Sequence, residues 1–331
     1  MNTDLKEILQ KHRARYSKML LQDEIKLIYQ HVLGAGHMIA SPDASLAYLK
    51  AELAQGPFSA AEGIENIGNG RVRLYLSEVL KRSYMPELIN QIFVFCANRP
   101  HPSLPLREAL QVLEPSPELD AYIASGMPSV HHSEVYRTYY HPAYRVIDAD
   151  CARILPLLDA LYRAPKPLVL AIDGMCGSGK TTLASLLTEL FSCSVIHMDD
   201  FFLPFEMRTP ERLAQPGGNI HYERILAEVL PHLGTVFDYA AFQCSDGSHR
   251  ICHIDPADIL ILEGSYSLHP ALHKAADLSV FLRISPEEQL KRIAAREGTA
   301  ALNAFQTRWI PLENRYFETY HIADHADFIF E

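Results

Sequence analysis

Residues 168–184 read Leu168-Val169-Leu170-Ala171-Ile172-Asp173-Gly174-Met175-Cys176-Gly177-Ser178-Gly179-Lys180-Thr181-Thr182-Leu183-Ala184. The unbroken apolar run from Leu168 to Ile172 has the pattern of a strand covered on both faces of a parallel sheet. Residues 174–181 then fit G-x-x-x-x-G-K-[ST], and Lys180 opens a stretch of helical spacing. Strand, glycine-rich turn and helix, in that order, give the pattern a mechanism. The glycines let backbone N–H groups converge on phosphate oxygens where side chains would block the approach. The helix that follows adds its partial positive N-terminus. In such a loop Lys180 reaches the β- and γ-phosphates, and the Thr181 hydroxyl ligates Mg²⁺. Gly174, Met175, Cys176, Gly177, Ser178, Gly179, Lys180, Thr181 and Thr182 are therefore the expected ATP-binding segment. The alternative is a bare turn before a helix.

Outward from this loop, strand and helix alternate. Strands are expected over Leu168–Asp173, Ser194–Met198, Asp258–Glu263, Leu278–Ile284 and Asp327–Phe330, with a short hairpin between Thr235 and Ile254. Helices fit Lys180–Phe191, Tyr222–Leu233, Pro286–Arg296 and Asn303–Ile322. Repeated βα units specify a five-stranded parallel sheet flanked by helices, an α/β fold. Arg163-Ala164-Pro165-Lys166-Pro167 reads as a linker, because its two prolines remove donors and bias their predecessors away from helix. Upstream, residues 1–162 read as a mostly helical domain. Helices are expected from Asp4 to Gln30, Pro42 to Ala54, Leu74 to Arg82, Met85 to Ala97 and Ser103 to Leu113, with a turn at Gly34-Ala35-Gly36.

A triphosphate loop does not say where the phosphoryl group goes. Val195-Ile196-His197-Met198 runs into Asp199-Asp200-Phe201-Phe202, placing two carboxylates at the carboxyl end of a strand, the edge where ligands sit in open α/β sheets. A carboxylate there can accept a hydroxyl proton from the acceptor and help hold the metal. Ile259-Leu260-Ile261-Leu262 ends in Glu263, a second metal-associated acid. For Asp199 and Asp200 the alternative is a helix-capping or turn role.

At these residues the chain resembles the uridine kinase and nicotinamide riboside kinase group of P-loop small-molecule kinases. The resemblance covers residues 167–331 and rests on three motifs in order: Ile172–Ala184, His197–Phe202 and Leu262-Glu263-Gly264. It implies ATP and Mg²⁺ as cofactors, Asp199 as the catalytic base, and Thr181, Asp199 and Glu263 around the metal. It further implies that Asn219-Ile220-His221-Tyr222-Glu223-Arg224 lies beside the acceptor, with Phe202, His221, Tyr222 and Glu223 as contacts. Relatives commonly carry an aspartate there, where this chain offers His221 and Glu223. An arginine-bearing lid is implied after the fourth strand, where Arg292 and Arg296 share a helix face at i, i+4 spacing; Arg308 is a further candidate. Trp309-Ile310-Pro311-Leu312-Glu313 reads as a packing element.

Composition sets the outer bounds. The 331 residues are 48% hydrophobic and 21% charged, an ordinary globular balance. Net charge is −10; residues 1–165 hold 17 basic and 18 acidic side chains and residues 166–331 hold 13 and 22. An acidic surface argues against non-specific nucleic-acid binding. No apolar stretch is long enough to span a membrane, and the first residues lack the basic and apolar regions of a signal peptide. A cytoplasmic location is the expectation, with the six cysteines as free thiols. In the first half, His31–Met38 and His131–Arg145 are dense in His, Tyr and Arg. They suit an interface with a second copy or a protein partner, a metal site of His37, His131, His132 and Glu134, or a polar-aromatic packing seam. For the whole chain three readings stand: a kinase phosphorylating a hydroxyl of a small molecule such as a nucleoside, a nucleoside monophosphate kinase, and a nucleotide-controlled switch read by a partner.

Overall fold

The computed structural model describes residues 2–56, 58, 63–102 and 104–331. The chain folds into two compact units, Met1–Arg163 and Ala164–Glu331.

The second unit is built on a five-stranded sheet. In chain order its strands are β4 (Leu168–Gly174), β5 (Cys193–His197), β8 (Ile259–Glu263), β9 (Leu278–Leu282) and β10 (Phe328–Phe330); β1–β3 and the pair β6–β7 belong to the sheets below. The spatial order is β10-β9-β4-β8-β5, parallel throughout. Every residue of β4 is buried, as its unalternating sequence requires. Helices Lys180–Leu190, Pro286–Glu297 and Ile310–Thr319 follow their strands. The segment Tyr222–His232 starts as an α-helix and loosens into a π-helical turn over Ile225–Val229, then tightens where Pro231 removes a donor. Another π-helical turn, Phe305–Trp309, interrupts the last long helical stretch. The hairpin between Thr235 and Ile254 is present as antiparallel β6 (Phe237–Phe242) and β7 (His249–Ile254).

The first unit is mostly helical, with helices Asn2–Arg15, Leu21–Leu33, Pro42–Leu53 and Pro86–Asn98. The helix expected over Ser103–Leu113, whose first residue lies outside the described residues, is a short helix Leu106–Ala109 followed by one tight turn. The sequence reading missed a three-stranded antiparallel sheet, β1 (Ile64–Gly68), β2 (Arg71–Tyr75) and β3 (Tyr144–Asp148). Asn69 and Gly70 join β1 to β2, both at positive φ (51° and 68°), the two-residue hairpin turn that Asn-Gly favours. The helix expected from Leu74 begins instead at Leu76, because Leu74 and Tyr75 belong to β2.

This sheet buries charge. Arg73, 1% exposed, donates to Glu65 Oε2 (3.1 Å) and to Gln30 Oε1 (3.0 and 2.8 Å), and lies 4.7 Å over the Tyr144 ring. His132 stacks on Tyr136 at 4.2 Å, with Nδ1 3.0 Å from Asp23 Oδ1 and Nε2 2.7 Å from the Tyr144 hydroxyl. Within the His131–Arg145 cluster, His132, Tyr136 and Arg145 turn inward as a polar-aromatic seam, whereas His131, Glu134, Arg137, Tyr139 and His141 are exposed. Among the described residues no group of His, Cys, Asp and Glu has metal-binding geometry. None of their helices is long and apolar enough to cross a membrane.

Burial depresses the His132 imidazole from its ordinary 6.5 to about 4. Between those values the unfolded chain takes up a proton that the folded chain refuses, so stability falls as pH drops through the window. The loss at pH 4 should be about 3 kcal/mol. Thermal unfolding followed from pH 7 to pH 4 should show it, and His132→Asn should flatten that slope; an unchanged slope would remove His132 as its source.

Candidate active site

The phosphate loop hangs between β4 and the helix Lys180–Leu190. Gly174 has φ 144°, and a Cβ there would overlap the Leu282 carbonyl oxygen of β9, so the loop leaves the sheet only through a glycine. Just before it, Asp173 is fully buried and accepts from the N–H groups of Gly174 (2.7 Å), Tyr266 (3.2 Å) and Leu268 (3.0 Å) and from the Tyr316 hydroxyl (2.9 Å). Burial pushes this carboxyl up to about 6, against the pull of those donors. The middle of the loop is clamped as well: Cys176 N–H donates to Glu313 Oε2 (3.0 Å), and the Cys176 carbonyl accepts from Gln289 Nε2 (2.9 Å). Lys180 turns back over the loop, its Nζ donating to the carbonyls of Gly174 (2.7 Å) and Met175 (3.1 Å).

Parallel register brings the acids to the loop. His197 at the end of β5 pairs with Glu263 at the end of β8, and Glu263 pairs with Ile172 of β4. Glu263, 5% exposed, accepts from the Thr181 hydroxyl at Oε1 (3.1 Å) and from His197 Nδ1 at Oε2 (2.8 Å). That bond to the carboxylate raises the His197 pKa. Asp199 lies just past β5 with an accessible carboxylate and, among the described residues, no hydrogen-bond partner. The protein packed around the group, and then the charge of Glu263, push its pKa up. Asp200 differs, because it accepts from the Tyr239 hydroxyl of β6 (2.6 Å).

Lys180, Thr181, Thr182, Asp199, Phe202, Glu263, Arg292 and Arg296 all line one cleft of about 860 Å³. Arg292 donates to the Gly177 carbonyl (3.3 Å), and Arg296 Nη2 lies 3.8 Å from Cys176 Sγ. His221, Tyr222 and Glu223 do not line this cleft. Glu223 is held by Arg212 through both carboxylate oxygens (2.7 and 3.0 Å), and Arg212 also meets the Tyr222 hydroxyl (3.1 Å). From the same segment the structure brings Asn219 into the cleft instead, its side chain buried beside Tyr266. Trp309, read from sequence as packing, lines the cleft with its ring 6.2 Å from that of Phe202. The sequence reading also passed over His197, Ser265 and Glu313. His197 carried a signal, because it is the last residue of a strand whose carboxyl end carries Asp199.

A second pocket of about 480 Å³ shares Phe202, Asn219, Cys244 and Trp309 with the cleft. Arg208, Arg308 and Arg315 line it, and among the described residues no carboxylate does. Cys244 is exposed, Cys176 is half-buried, and all six cysteines are free thiols.

No family model matches the chain. A uridine kinase of Geobacillus sp. (strain WCH70) is 30% identical over 146 residues, covering 40% of this chain and 68% of that protein. A uridine kinase of Bacillus licheniformis is 28% identical over 152 residues, with the same shares of 40% and 68%. A cytidylate kinase of Methanocorpusculum labreanum is 31% identical over 162 residues, covering 48% and 81%. Among solved structures, a Bacillus stearothermophilus protein described as a possible uridine kinase is 21% identical, with a TM-score of 0.42, and covers 54% of this chain and 97% of its own.

Proposed function

The chain belongs to the uridine kinase family of P-loop kinases, and on that premise we propose that it transfers the γ-phosphoryl group of ATP to a hydroxyl of a small molecule, a nucleoside or a related compound. The observation that carries the reading is the meeting in one cleft of the phosphate loop with an uncommitted carboxylate, Asp199.

Each residue then has a chemical task. The loop amides and Lys180 hold the triphosphate, and Lys180 exchanges its two carbonyl partners for phosphate oxygens. Asp199 orients the acceptor hydroxyl and takes its proton as the oxygen attacks the γ-phosphorus. The new O–P bond forms while the bond to the β-phosphate oxygen breaks, and ADP leaves. Arg292 and Arg296 stabilise the charge on the transferring group. The donor set of Thr181 hydroxyl, Glu263 and Asp199 suits a hard cation; Mg²⁺ held there would neutralise charge on the phosphate oxygens. Phe202, Trp309 and Asn219 line the acceptor side in this reading.

The arginine-lined pocket favours a second reading, in which the acceptor is itself a phosphate, as in a nucleoside monophosphate kinase. Three guanidinium groups without a carboxylate beside an apolar wall form an anion-accepting surface. One assay separates the readings: ADP release from MgATP against nucleosides, ribosides, pantothenate, simple sugars, CMP and UMP. Turnover with a neutral acceptor supports the first. Turnover confined to the monophosphates, with KM raised about tenfold or more in Arg315→Met, supports the second. ATP binding with no acceptor-dependent turnover would overturn both and leave a nucleotide-controlled switch.

A further inference from the structure

The unit Met1–Arg163 contains a cavity of about 490 Å³, within the size range of small-molecule sites. Its walls carry Lys26, Arg137 and Arg145 against a single acid, Glu52, a surplus of two positive charges with the histidines neutral. Lys26 is the unusual member. It is 7% exposed, and its Nζ donates to the Val130 carbonyl (3.1 Å). Among the described residues no carboxylate stands within ion-pair distance of it. The nearby Asp23 is taken up by the backbone N–H groups of Leu20 and Ser133, the Ser133 hydroxyl and His132. Burial, reinforced by Arg73 and Arg137 and partly offset by the charge of Asp23, lowers the Lys26 pKa to about 8. The Lys26 ammonium has three N–H donors and, among the described residues, one acceptor, the Val130 carbonyl, while its nearest carboxylate, Asp23, stands outside ion-pair distance; an ammonium so placed is open to an anionic ligand.

The cavity is also lined by the rings of Tyr48 and Phe93. The Arg145 guanidinium is paired with Glu52 (2.9 Å) and lies 5.7 Å from the Tyr48 ring and 5.6 Å from the Phe93 ring. Arg137 is more than half exposed and paired with Glu134 (3.0 Å), a residue that does not line the cavity.

We propose that this cavity binds a small ring-bearing organic anion, its carboxylate or phosphate meeting Lys26 and Arg137 and its ring lying along Tyr48 and Phe93. The site is separate from the phosphate cleft and stands whether or not the kinase reading does.

The test is calorimetric titration of the full chain with phenyl phosphate and with benzoate, and with benzyl alcohol as the uncharged counterpart. At least one anion should bind, and which of the two binds decides between phosphate and carboxylate. Benzyl alcohol should give no heat. Lys26→Met should weaken binding about 10- to 100-fold, the loss of one charge-assisted hydrogen bond. Arg137→Gln, at an exposed position where the fold is not at stake, should weaken it several-fold, and it decides the matter if Lys26→Met does not fold. Lys180→Ala should leave it unchanged. The proposal is overturned if neither anion binds, if benzyl alcohol binds equally well, or if binding is lost in Lys180→Ala and kept in Lys26→Met.

Discussion

Asp199→Asn should keep MgATP binding, which the loop, Lys180, Thr181 and Glu263 still support, and lower kcat by about 10²- to 10⁴-fold, the contribution of a positioned general base. The substitution preserves shape and removes only the negative charge and the ability to take a proton. It should not disturb the fold, because the Asp199 carboxylate supports no other group among the described residues, whereas Asp200 holds Tyr239. A pH profile gives an independent readout. The wild-type kcat should fall on the acid side as Asp199 protonates, at a pH above the ordinary aspartate range because the protein packed around it and the charge of Glu263 raise its pKa. That limb should vanish in Asp199→Asn. Near-normal kcat in the variant would take Asp199 out of the reaction.

Lys180→Ala should lower kcat/KM by about 10³-fold or more, with weakened MgATP binding. Among the described residues Lys180 is the one lysine lining the cleft, and its charge is the most direct counter to the β- and γ-phosphates. Its bonds to the Gly174 and Met175 carbonyls keep the ammonium over the loop, so little rearrangement separates that position from a phosphate-binding one. Equilibrium binding of ATP together with steady-state rates checks both halves of the expectation. Activity within tenfold of wild type would sink the phosphate-loop assignment.

Much of this was legible because local sequence determines it. The five strands of the second unit are short apolar runs, and β4 leads into its loop through a glycine pattern whose chemistry is self-contained. Glu263 could be read because it ends such a run. The acceptor side was less legible, since Glu223 points where Arg212 pulls it, and nothing in their spacing announces the clamp. Glu313 was missed for the same reason: its partner Cys176 lies 137 residues earlier. The antiparallel sheet of the first unit stayed hidden because β2 is buried throughout yet carries Arg71 and Arg73. Their alternation with Val72 and Leu74 is itself a strand signal, as Asn69-Gly70 is a turn signal, but charge at both alternate positions reads as a solvent face, and Leu74 and Tyr75 also fit the helix that follows.

The clamp on the phosphate loop also bears on the order in which the chain matures. Asp173 and Cys176 are held by Tyr316 and Glu313, side chains 143 and 137 positions downstream. Contacts of such separation close large loops and form late. A nascent chain that has just presented its glycine-lysine motif therefore has the letters of a nucleotide site without its shape. Competence for ATP should arrive only when the helix Ile310–Thr319 docks, so the site ripens with the last part of its unit.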